Sequence, residues 1–170
     1  ERLDRFAARR EAHAMFGLDA QRPVLLVTGG SSGAKRINDT ISRSIPAILG
    51  AGWQVLHITG GLRDEVPDPQ LPGYRIIKYC DRMELAIAVA DLAVSRAGSS
   101  TVAELAAVGV PAVFVPYPIG NGEQRLNVRA AVRAGAALLV EDSKFTVAWV
   151  STELVALLRH RAELAAMAAR

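Results

Sequence analysis

The chain has 170 residues, 51% hydrophobic and 22% charged, a balance that suits one globular domain with a substantial core and excludes a disordered segment. Its net charge of +3 is spread along the sequence without basic runs or interleaved aromatics, so no nucleic-acid partner is expected. No stretch approaches the ~20 uncharged apolar residues of a membrane span and no signal segment opens the chain, so a cytoplasmic setting is expected; the lone Cys80 and the scattered His13, His57 and His160 point to no disulfide, metal or cofactor.

Residues 1–16 form a charged amphipathic pattern with Leu3, Phe6, Ala7, Met15 and Phe16 as candidate contacts, stopped by Gly17. The segment lies ahead of the repeating pattern and the chain opens on Glu1. Residues 1–20 are therefore expected to be a linker helix from a missing N-terminal domain, and residues 21–170 the domain proper. Val24–Thr28 is a buried-strand run, and Gly29, Gly30, Ser31, Ser32, Gly33 and Ala34 lead from it into a helix ending near Leu49. Glycines at such a turn let the backbone approach a ligand, while the serines offer N–H and hydroxyl groups to an anion; the plain alternative is a tight turn with no ligand.

Residues 53–59 and 74–78 are the next strands, separated by a Pro- and Asp-rich loop at 64–73. A short helix runs to Ala90. Leu92–Ser95 is a fourth strand, followed by small residues and a helix beginning near Ser99. Residues 111–115 make a fifth strand, 116–127 a proline-flanked loop entering a helix, 136–140 a sixth strand, and 146–170 are helical. Strands alternating with helices, each apolar enough to be covered on both faces, predict an α/β fold: a Rossmann-like, doubly wound parallel sheet of about six strands. Ligands bind such sheets at the carboxyl ends of the strands, and the loops after strands one, three, four and five are the ones rich in Gly, Ser, Glu and Gln.

Ser99, Ser100 and Thr101 stand at a helix start, where free N–H groups and the aligned peptide dipoles suit a phosphate or diphosphate. Glu104, one turn further, could reach past that phosphate to a ribose diol. Thr101-Val-Ala-Glu104 also satisfies a capping box, in which Glu104 serves only its own helix; spacing leaves both readings open. A short-chain dehydrogenase is a weaker alternative. Residues 27–33 resemble its opening and Tyr74 and Lys78 have its Tyr-x-x-x-Lys spacing, but Lys35 replaces a needed glycine, no acid ends the second strand, and Tyr74 and Lys78 lie on a strand, ~13 Å apart.

Four motifs in order, Gly29-Gly-Ser-Ser-Gly-Ala34, Tyr79-Cys-Asp-Arg-Met83, Arg96-Ala-Gly-Ser-Ser-Thr-Val-Ala-Glu104 and the loop 116–127, resemble those of the bacterial peptidoglycan N-acetylglucosaminyltransferases that convert lipid I to lipid II. The resemblance covers nearly the whole chain from about Arg9 and matches the C-terminal, donor-binding half of a two-domain GT-B enzyme. It implies an inverting transferase using UDP-GlcNAc, with no metal required, working on the cytoplasmic face of the plasma membrane. By position, it implies that main-chain groups of Cys80 read the uracil edge with Met83 nearby, and that Glu104 binds the ribose hydroxyls. Ser99, Ser100 and Thr101 would face the diphosphate, helped by Gly30, Ser31, Ser32 and Gly33, and Glu123, Gln124 and Asn127 would serve the GlcNAc ring. Ser32 stands where the family usually has Gln, and Glu123 where some members have Gln. No catalytic residue is expected here, since the resemblance places the general base and the lipid I site in the N-terminal domain. A stand-alone UDP-sugar-binding subunit and a UDP-sugar epimerase are the remaining alternatives.

Overall fold

The computed structural model describes residues 2–29, 34–61, 66–120 and 122–170, with side chains from residue 4 onward. Its centre is a six-stranded, wholly parallel sheet of β1 (Val24–Thr28), β2 (Gln54–Ile58), β3 (Tyr74–Ile77), β4 (Leu92–Ser95), β5 (Ala112–Phe114) and β6 (Ala137–Leu139), in the order β3-β2-β1-β4-β5-β6. This is the doubly wound arrangement expected from the alternating pattern. The chain turns outward in opposite directions from β1 and from β4, which leaves a crevice between their carboxyl ends.

Both faces of the sheet are covered. Leu25 and Val27 of β1 point to one face, where Ile37, Ile41, Ile45 and Ile48 of α2 (Lys35–Gly50) meet Phe145, Val150, Leu154 and Leu158. Phe145 precedes, and the other three lie in, a helical run of α7 (Val147–Trp149), a π-helical turn (Val150–Leu154) and α8 (Val155–Arg159), with α9 (Arg161–Ala168) after a break at His160. Val24 and Leu26 point to the other face, against α1 (Arg2–Phe16), α3 (Met83–Val89), α4 (Ser99–Val108) and Val128, between α5 (Glu123–Asn127) and α6 (Arg129–Arg133). Period-2 alternation thus feeds two cores from each central strand, as a sheet buried on both sides requires. Gly109, at φ +78°, ends α4: its N–H reaches the carbonyls of Leu105 and Ala106, and the N–H of Val110 reaches Leu105 again, a left-handed turn open to glycine without strain.

The contact face of α1 differs from the sequence expectation. Phe6 is 68% and Met15 51% exposed, Ala7 is exposed, and the side chain of Leu3 lies outside the described residues; of the five expected contacts only Phe16 is buried. The inner face is Arg5, Ala8, Arg9, Ala12 and Phe16. Two arginines occupy it for an electrostatic reason. Arg5 Nη1 donates to the carbonyl of Val108 at 3.0 Å and Arg9 Nη1 to that of Ala88 at 3.1 Å, so each serves open carbonyls at the negative C-terminal end of α4 or α3. A hydrophobicity pattern misplaces a helix held this way.

Candidate functional site

The crevice lies between the carboxyl ends of β1 and β4, and Gly30, Ser31, Ser32 and Gly33, in the stretch after β1, lie outside the described residues. On the β4 side the chain passes through Arg96, Ala97 and Gly98 into α4. Gly98 is the N-cap, and the first intrahelical bond runs from Val102 N–H to its carbonyl at 3.0 Å. The N–H groups of Ser99, Ser100 and Thr101 therefore precede the helical ladder, with Ser99 and Ser100 exposed and Thr101 half-buried. The capping box does not form. Thr101 is the third residue inside the helix, not its cap, and Glu104 is exposed and takes no hydrogen bond from the described residues.

Cys80 and Met83 lie beyond β3. Neither main-chain polar group of Cys80 is bonded to a described residue, and burial raises its thiol pKa despite a hydrogen bond from the Arg82 backbone. Met83 opens α3 and, half-buried, packs against the same apolar cluster as Val102 of α4, and α3 and α4 are in contact.

From the other side, α5 closes on the same turn. Gln124 Oε1 accepts from the N–H of Tyr117 at 2.7 Å and of Ala97 at 3.3 Å, and Asn127 Nδ2 donates to the carbonyl of Ala97 at 2.9 Å. The two side chains thus hold the β4–α4 and β5–α5 loops together, a task their sequence positions did not signal. Glu123 is exposed and unbonded among the described residues.

Sequence reasoning also gave no role to Arg96, Arg36 and Asp142. A charged residue directly after a buried strand was the available signal. They line a cleft of about 680 Å3 with Tyr117 and Pro118, across the carboxyl ends of β1, β4, β5 and β6. On β2, His57 is fully buried between Tyr74 Oη, 2.8 Å from Nδ1, and Asn38 Oδ1, 2.9 Å from Nε2. Asn38 Nδ2 donates to the Thr59 carbonyl, so its oxygen faces His57 Nε2–H and the tyrosine hydroxyl donates to Nδ1. The ring is neutral, and burial lowers its pKa to about 4. Tyr74 is thereby committed to β2, while Lys78 is exposed, which removes the dehydrogenase pairing.

A parallel doubly wound sheet whose open helix start, small-residue turns and polar side chains gather at the β1/β4 crevice defines a Rossmann-like α/β domain of the ligand-binding kind. The chain belongs to glycosyltransferase family 28: residues 24–170 match the model of its C-terminal domain. It is 59% identical over its full length to the UDP-N-acetylglucosamine--N-acetylmuramyl-(pentapeptide) pyrophosphoryl-undecaprenol N-acetylglucosamine transferase of Leifsonia xyli, covering 47% of that protein. The transferase of the same name from Streptomyces coelicolor is 52% identical over 160 residues, which are 92% of this chain and 44% of that protein. The crystal structure of Acinetobacter baumannii MurG superposes with a TM-score of 0.75 at 27% identity, over 96% of this chain and 48% of that one. The chain therefore spans about half the length of the relatives it matches. The calicheamicin glycosyltransferase CalG4, at 21% identity and a TM-score of 0.67 over 86% of this chain and 37% of its own, shares the fold.

Proposed function

We propose that the chain is the UDP-GlcNAc-binding half of an inverting, GT-B hexosyltransferase that transfers GlcNAc to lipid I to form lipid II on the cytoplasmic face of the plasma membrane. The family match and the names of the relatives support the reaction class. One observation carries the assignment of the site: Glu104 stands exposed and unbonded to described residues one turn inside α4, at a helix start where three N–H groups precede the helical ladder. The diphosphate sits on that helix start, Glu104 takes the ribose hydroxyls, Cys80 and Met83 hold the uracil, and Glu123, Gln124 and Asn127 serve the sugar. The acceptor hydroxyl displaces UDP with inversion, and this half contributes positioning together with a positive helix end against the charge growing on the leaving group. No helix is long and apolar enough to cross a membrane among the described residues, and the reading asks only for peripheral attachment of the whole enzyme.

The test is calorimetry on the 170-residue chain with UDP, ADP and GDP. UDP binds preferentially, and no sugar is transferred to a lipid I analogue. Glu104→Ala costs about 1.5–3 kcal/mol of UDP affinity, roughly 10- to 100-fold, while 2′-deoxy-UDP suffers much less. The thermal melt stays near that of the unaltered chain, since Glu104 caps nothing. Equal affinity for the three nucleotides, or an equal loss for ribose and deoxyribose ligands, would overturn the assignment.

A further inference from the structure

One carboxylate beyond the end of β6 links the walls of the site. Asp142, in a 3-10 turn (Asp142–Lys144), accepts from Arg96 Nη1 on Oδ1 at 2.6 Å and from Arg36 Nε on Oδ2 at 3.3 Å. Arg96 directly follows β4 and is only 9% exposed. Its Nη1 also donates to the carbonyls of Val115 and Pro116 at 3.2 and 3.3 Å, and its guanidinium carbon lies 5.5 Å from the Tyr117 ring centroid. The buried Arg96 Nε has no partner among the described residues. Among the described residues Asp142 is the one carboxylate paired with this guanidinium, and a charge so far removed from water is strongly destabilised when its counter-charge is taken away. Arg36 is the second residue of α2, the helix that follows the glycine-rich loop. Through these contacts, Asp142 joins the helix after β1, the turn after β4 and the loop after β5.

We infer that Asp142 is a positioning residue for the donor diphosphate: it sets the spacing between α2 and the β4–α4 turn, and it does so without touching the ligand. The inference rests on the reading that the crevice binds a UDP-sugar. It makes a prediction opposite in sign to that of a bystander charge. A carboxylate that merely sits near an anion repels it, so its neutralisation tightens diphosphate binding. A carboxylate that holds the binding elements in place weakens it when neutralised.

The experiment is calorimetry of UDP and of uridine on the unaltered chain, on Asp142→Asn and on Asp142→Glu. Uridine contacts the Cys80 end and lacks the diphosphate. Asp142→Asn binds UDP about tenfold more weakly, with uridine affinity within twofold of the original. Asp142→Glu keeps the charge and displaces it by one methylene, so it secures the test if the asparagine variant folds poorly; a loss of about threefold for UDP alone is expected. Tighter or unchanged UDP binding in either variant, or equal losses for UDP and uridine, would overturn the inference. Failure of the unaltered chain to bind UDP strikes the donor reading instead, so the two outcomes are distinct.

Discussion

Gln124 shows how one side chain can be committed to structure at one atom and open at another. Its Oε1 is occupied by the N–H groups of Ala97 and Tyr117, whereas its Nε2 makes no bond to a described residue. Sequence position alone assigned the whole amide to the sugar. The geometry predicts instead that Gln124→Ala weakens UDP and UDP-GlcNAc together, because the partly buried N–H of Ala97 and the exposed N–H of Tyr117 lose their shared acceptor, at about 1–2 kcal/mol, and the turn before α4 loosens. Gln124→Glu keeps the acceptor and removes the donor, so it leaves UDP binding and the melt near their original values and weakens UDP-GlcNAc. Calorimetry with both ligands decides; UDP affinity unchanged in Gln124→Ala would restore the sugar-only role.

Helix α1 is fastened by hydrogen bonds as much as by apolar burial. Besides the Ala88 carbonyl, Arg9 reaches Asp91 Oδ1 through Nη2 at 3.2 Å, and Asp91 Oδ2 accepts from the N–H of Val24 at 2.8 Å. One guanidinium thus ties α1 to the end of α3 and to the entry of β1. Both partners are about one-third exposed, which discounts the ion pair, so Arg9→Ala is expected to cost about 1–2 kcal/mol, mostly from the carbonyl left without its donor. Phe6→Ala, at a position 68% exposed, changes stability by about 0.5 kcal/mol or less. Urea midpoints of the two variants check this ranking, and the reverse order would show that the apolar face of α1 holds it after all.

Across the whole molecule, the His57 network ties β2, β3 and α2 together, and its neutrality makes global stability depend on pH. The ring's pKa falls from 6.5 in the unfolded chain to about 4 in the folded one because burial disfavours the imidazolium. Between those values the unfolded chain binds a proton that the folded chain does not, so stability present above pH 6.5 is lost as pH falls toward 4, by up to about 3 kcal/mol. Urea midpoints across this range are expected to drop for the unaltered chain and to drop less for His57→Gln, the difference isolating the ring from titrating carboxylates. Parallel profiles would show that His57 is not held neutral.

The number of strands, their parallel pairing and the covering of both faces were legible in the sequence, because hydrophobic period and the small-residue turns are local properties that neighbouring residues carry together. So was the helix start at Ser99, which depends on a short stretch alone. Contacts decided by distant partners were not legible. Gln124 meets Ala97 across 27 positions, Arg96 meets Asp142 across 46, and Arg9 meets Asp91 across 82. A polar side chain in isolation is equally suited to solvent, ligand or another loop, and a guanidinium on an inner helix face looks like a surface charge until the carbonyls it serves are in place. The capping box failed on local geometry instead: Thr101 and Glu104 had the required spacing, but with Gly98 as the cap and Ser99 opening α4, Thr101 lies inside the helix and cannot cap it.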